Sequence, residues 1–97
     1  MELVQLTIGH NVGNTPRWSS ADVATTCADV LGIDGMTVIP CLGMWCGMPE
    51  QSSRVEIVTD DPARIISRIP QLCETLEQDA IMCAYAGHID FVSPVHA

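Results

Sequence analysis

A ferredoxin-like α+β fold, βαββαβ with a four-stranded antiparallel sheet and two helices on one face, is predicted by the order of the periodic segments. Leu3–Gly9, Met36–Trp45, Arg54–Thr59 and Ala80–Tyr85 read as strands, Ser20–Leu31 and Pro62–Leu76 as helices, so two strand–helix units flank one apolar hairpin. A second observation is where proline falls. Among these strands only Met36–Trp45 contains one, Pro40. Proline cannot donate to a ladder, and the spatial order 4-1-3-2 expected for the fold puts that strand at an edge. The third observation is size: 97 residues, 47% of them hydrophobic, suffice for one core. Residues 1–97 are therefore expected to form a single domain with a flexible tail from about residue 93.

Each element has a local cause. Val4, Leu6 and Ile8 alternate with Gln5, Thr7 and Gly9, the period of a strand with one buried face. The turn formers of Gly9–Pro16 follow. Ser19 with Asp22 three residues later resembles a capping box, and Val23, Cys27, Val30 and Leu31 recur at helical spacing before Gly32. Gly47–Gln51 is expected to turn the chain out of Met36–Trp45, and Val55–Thr59 returns it. Asp61 before Pro62 marks a helix start, with Ile65, Ile69, Leu72 and Leu76 as its buried stripe. Pro70 should kink or break that helix near Arg68–Ile69. Ile81, Cys83 and Tyr85 would face the helices, and Pro94 through Ala97 is expected to be loosely held.

Twelve acidic residues oppose four arginines, a net charge of −8. Such a surface repels phosphate backbones, so direct nucleic-acid binding is not expected, and a protein partner with a basic surface is. No apolar run approaches the roughly 20 residues of a membrane span and no basic-then-apolar leader opens the chain, which points to a cytoplasmic protein with no membrane partner. The five cysteines are read as reduced thiols.

The topology gathers one candidate site. The end of the first strand shares a sheet edge with the Cys46–Gln51 hairpin and the Asp79 turn, so His10, Cys46, Glu50 and Asp79 could converge. A histidine beside two carboxylates would have its protonated form favoured. Trp45 and Met48 add a flexible apolar cluster suited to a partner or to closing the core. The binding residues expected are thus Trp45, Met48, Glu50, His10 and Asp79. Cys41 and Cys46 lack zinc-knuckle spacing, and His10 and His88 fall at opposite ends of the sheet, so no metal is expected. Neither a dinucleotide nor a Walker glycine pattern is present, no cofactor is expected, and no residue stands out as catalytic. Gln5, Thr7, Arg54, Glu56, Met82 and Ala84 would form an open sheet face able to stay solvated, hold a small ligand or pair with a second copy. A homodimer could form through this face or an edge strand.

Asp34-Gly35-Met36-Thr37-Val38, Gly43-Met44-Trp45 and Glu50-x-Ser52-x-x-Val55-x-Ile57 resemble a pattern in small, uncharacterised bacterial and phage-encoded α+β proteins. The resemblance spans roughly residues 34–83. It implies a phage or mobile-element accessory protein and carries no catalytic residues. Together these readings favour a non-catalytic acidic module, an inhibitor whose Trp45–Gln51 hairpin docks on a nucleic-acid-handling defence complex. The alternative is a small dimeric α+β-barrel enzyme or small-ligand binder with a His10, Glu50 and Asp79 rim pocket. A deep, partly apolar cavity containing His10 would favour the alternative, and a flat or convex surface there the inhibitor.

Overall fold

The computed structural model describes residues 1–95. The last two residues of the expected loose tail, His96 and Ala97, lie outside the described residues. The chain forms β1 (Glu2–Gly9), the short pair β2 (Asn11–Val12) and β3 (Thr15–Pro16), α1 (Ser20–Leu31), β4 (Thr37–Trp45), β5 (Met48–Thr59), α2 (Pro62–Ser67), α3 (Ile69–Thr75), β6 (Ile81–Tyr85) and β7 (His88–Val92). This is an α+β fold whose five-stranded sheet runs β4-β5-β1-β6-β7, every pair antiparallel.

The sheet has five strands rather than the expected four. Ala86 and Gly87 both take positive φ, the geometry of a two-residue hairpin turn, and fold His88–Val92 back onto β6. Positive φ at Cys46 and Gly47 turns the other hairpin in the same way, so Met48–Gln51 belong to β5 instead of forming a long turn. Pro49 is tolerated there because β1 ends opposite Ser52, leaving that part of β5 with a free edge. Pro40 lies on β4, an edge strand. The second helical segment is broken at Arg68 into α2 and α3, with Pro70 in the first turn of α3.

Local signals set the ends of the helices. Ser19 caps α1 in a full capping box with Asp22, and Gly32 closes it in the left-handed region. Arg64 and Arg68 then both donate to the Leu31 carbonyl, giving the end of α1 the positive charge its dipole favours. Asp61 caps α2. At the end of α3, Glu77 takes φ 53 while its N–H reaches the Glu74 carbonyl and the Gln78 N–H reaches Cys73. That is a Schellman cap on a residue other than glycine.

All the buried hydrophobic side chains belong to one core between the helices and one face of the sheet. Val4, Leu6 and Ile8 of β1 and Val55 and Ile57 of β5 meet Val23, Cys27, Leu31, Ile65, Ile69 and Leu72 there. The opposite face carries Gln5, Thr7, Glu56, Met82 and Ala84 half-buried and no helix above them. It is more apolar than those residues suggest, because Leu3, Ile39, Val58, Ile89 and Phe91 stand on it exposed. It is also concave. In a flat sheet the two edge strands would lie about 19 Å apart, four spacings of about 4.8 Å. Yet Trp45 at the end of β4 and Phe91 on β7 stand edge-to-face with ring centroids 6.1 Å apart. The sheet curls, and the curl makes a basin.

Candidate functional site

Strand alternation decides which side chains enter the basin. On β1, Val4, Leu6 and Ile8 point to the core, so Gly9 faces the basin and His10 turns back toward the helices. On β5 the basin side receives Met48 and Glu50, and on β4 it receives Trp45. The result is a cavity of about 370 Å³ lined by Gly9, Asn11, Gly13, Asn14, Trp45, Cys46, Met48, Pro49, Glu50, Glu77, Gln78, Asp79, Ala80 and Phe91.

Glu50 is the organised charge of this cavity. Its Oε2 accepts the Asn11 backbone N–H at 2.8 Å. Its carboxylate lies over Gly9, where a Cβ would come within 2.8 Å of the carboxyl carbon, so any larger residue would force the carboxylate to move. The clearance at Gly43 is less tight: a Cβ there would stand 3.1 Å from Ser52 Oγ and 3.3 Å from the indole Nε1 of Trp45. Glu77 and Asp79 supply two further carboxylates, and among the described residues no basic side chain lines the cavity. Arg17 pairs with Glu77 at 3.1 Å from outside, both half-exposed. The cavity therefore offers negative charge and aromatic surface together, a combination suited to a cation with an apolar body.

Gln78 forms part of the wall and is 8% exposed. Its Nε2 donates to the carbonyls of Asn11, at 3.0 Å, and Leu76, at 3.1 Å. Asn11 thus joins the two polar side chains, its N–H held by Glu50 and its carbonyl by Gln78. Trp18 secures the same corner by donating from Nε1 to the Leu76 carbonyl.

Of the residues expected at this rim, Cys46, Glu50, Asp79, Trp45 and Met48 line the cavity and His10 does not. His10 is buried on the helix side, its Nε2 2.7 Å from Ser53 Oγ, which lies 2.8 Å from Ser20 Oγ. The expectation that its protonated form is favoured is also corrected. Burial pushes the His10 pKa below its ordinary value and outweighs the opposing pull of Glu50 and Asp22. His10 is a buried joint, its backbone carbonyl accepting the N–H groups of Arg17 and Trp18. The buried thiols are equally unsuited to chemistry, Cys27 being pushed up to about 12 by desolvation. Among the described residues no three metal-ligating side chains gather, and no helix is long and apolar enough to cross a membrane.

The sequence reading missed Gly9, Asn11, Gln78 and Phe91. The alternation of Ile89 and Phe91 with His88 and Asp90 after Gly87 was the available signal for Phe91. Gln78 carried none, since its role depends on the cap that turns the chain after α3.

Neither a protein-family profile nor a curated protein sequence matches the chain. Two solved structures share its fold. One is a phage SAM lyase in the apo state, with TM-score 0.77 and 16% identity over 97% of this chain and 90% of that one. The other is a phage SAM lyase in complex with S-methyl-5′-thioadenosine, with TM-score 0.73 and 17% identity over 95% of this chain and 88% of that one. At that identity the likeness establishes the fold. It also corrects the reading of the chain as a non-catalytic inhibitor that docks on a basic surface: both neighbours are enzymes, and the rim meant for docking is hollow.

Proposed function

We propose that the chain binds S-adenosylmethionine in the basin and cleaves it as a lyase, releasing S-methyl-5′-thioadenosine. One observation carries this reading: a cavity of about 370 Å³ that combines a pre-positioned carboxylate, Glu50, with the aromatic walls Trp45 and Phe91. The volume falls at the lower end of the roughly 300–1,000 Å³ usual for small-molecule sites. A sulfonium is a cation with an apolar body, and an aromatic face and a carboxylate each favour it over a neutral thioether. Two solved structures that share this fold, one holding the thioether nucleoside, support the same substrate class.

In the cleavage the carbon–sulfur bond to the four-carbon fragment breaks and both electrons remain on sulfur, which becomes neutral. The fragment restores its own valence, by losing a proton or by closing on its own carboxylate, so no water is consumed. Glu50, held by Asn11 over Gly9, fixes the cation; Trp45 and Phe91 exclude water from the bond that breaks. We also read the strand order as a ferredoxin-like frame with β7 added. Self-association through Leu3, Ile39, Val58 and Ile89, exposed on the same sheet face beside the basin, belongs to the same proposal.

Incubating the purified chain with S-adenosylmethionine and following the nucleoside product by mass-detected chromatography tests the reading. Time-dependent S-methyl-5′-thioadenosine, formed roughly 100-fold more slowly with Glu50→Gln, is the expected result. Neither product formation nor saturable binding of either compound would sink it.

A further inference from the structure

We infer that Gln78 recognises the 6-amino group of the purine, making the site selective for adenine over 6-oxo and unsubstituted purines. This rests on the nucleoside reading above and names what decides the base.

The inference comes from how the amide is used. Both Nε2 hydrogens have carbonyl acceptors, Asn11 at 3.0 Å and Leu76 at 3.1 Å. That fixes which way the amide faces, since a flipped amide would set its oxygen against two carbonyl oxygens. Oε1 receives no hydrogen bond from the protein among the described residues, and none of the buried side-chain oxygens there lacks a partner. Oε1 therefore keeps some solvent access on a residue only 8% exposed, and the space that Gln78 lines is the cavity. The side chain is a rigid acceptor with its donors already spent.

An acceptor of this kind selects a ligand donor. Three donors are available on an adenosyl sulfonium: the α-ammonium, the ribose hydroxyls and the 6-amino group. The ammonium is charged and is better served by Glu50 or Asp79 than by a neutral amide. The hydroxyls donate and accept alike, so a fixed acceptor gains little selectivity from them. The 6-amino group of a neutral, flat heterocycle fits a buried neutral acceptor in a cavity with aromatic walls, where a carboxylate would carry a larger desolvation cost. Because Asn11 holds Gln78 by its carbonyl and Glu50 by its N–H, base reading and cation holding share one backbone hinge.

Calorimetric titration of the wild-type chain with three probes tests this: S-methyl-5′-thioadenosine, its 6-oxo counterpart and its 6-unsubstituted counterpart. The unsubstituted probe should bind about 10-fold more weakly for the lost hydrogen bond, and the 6-oxo probe about 100-fold more weakly because two acceptors then face each other. In Gln78→Leu the three affinities should converge. Should that variant fail to fold, the side-chain amide signals of Gln78 in ¹⁵N-labelled wild type decide: they should shift with the adenine probe and stay in place with the 6-oxo probe. Equal wild-type affinity for all three, or amide signals indifferent to the base, would overturn the role of Gln78 while leaving nucleoside binding intact. Binding of none of the three would overturn the nucleoside reading and this inference with it.

Discussion

The cavity and the helix side of the same sheet treat polar groups in opposite ways. On the helix side, Ser53 hydrogen-bonds both His10 and Ser20, side chain to side chain. On the basin side, Glu50 and Gln78 bond to backbone instead, through Asn11 and Leu76, and each keeps capacity to accept from a ligand. A closed side-chain network stabilises, whereas a side chain anchored to backbone presents an atom at a fixed place. The helix face is built for stability and the concave face for binding, although both are cut from the same strands.

Substitutions on the two faces should therefore separate stability from function. Leu6→Ala, at a fully buried position, should lower unfolding free energy by about 2–5 kcal/mol in denaturant titration, with the folded fraction still binding nucleoside normally. A loss of binding in molecules that remain folded would mean the faces are coupled. Glu50→Gln should reverse the pattern: roughly 100-fold less turnover, with the melting temperature little changed because the amide oxygen can still accept the Asn11 N–H. Collapse of the fold in this variant would make Glu50 a structural residue.

Smaller effects test the contacts in between. Gly9→Ala pushes a methyl group against the Glu50 carboxylate, so nucleoside affinity should fall about tenfold while stability drops by no more than about 1 kcal/mol. Unchanged affinity would show that the carboxylate relocates without consequence. The smallest effect expected is the pH response of His10. Because burial lowers its folded-state pKa below the unfolded value of about 6.5, the unfolded chain binds more protons in that window. Stability should be fully present above about pH 6.5 and decline as pH falls through the window. His10→Gln should flatten that part of the melting-temperature profile, and a profile identical to wild type would remove His10 as its source.

Much of the frame was legible in the chain because its signals are local. The Ser19–Asp22 box, Gly32, Asp61-Pro62 and the break before Pro70 each act within a few residues, and all appear where spacing puts them. The fifth strand was missed because the Ala86–Gly87 turn needs positive φ at an alanine, which residue preference disfavours and pairing with β6 enforces. His10 was misassigned although the clue was present: alternation from Val4, Leu6 and Ile8 carries it to the core side. Topology brought loops to one rim, but the parity of each strand decides which side chains look into it.

The sequence by itself determined the α+β class, the capped helices, the edge proline and the acidic character, since these follow from periodicity, caps and composition. Tertiary structure alone decided that the sheet curls until Trp45 meets Phe91, that Glu50 rests on Gly9, and that Gln78 spends its donors on two distant carbonyls. The physical reason is range. Caps and alternation act over one turn or two residues, whereas the cavity depends on sheet curvature and on contacts such as Gln78 with Asn11, 67 positions apart in the chain.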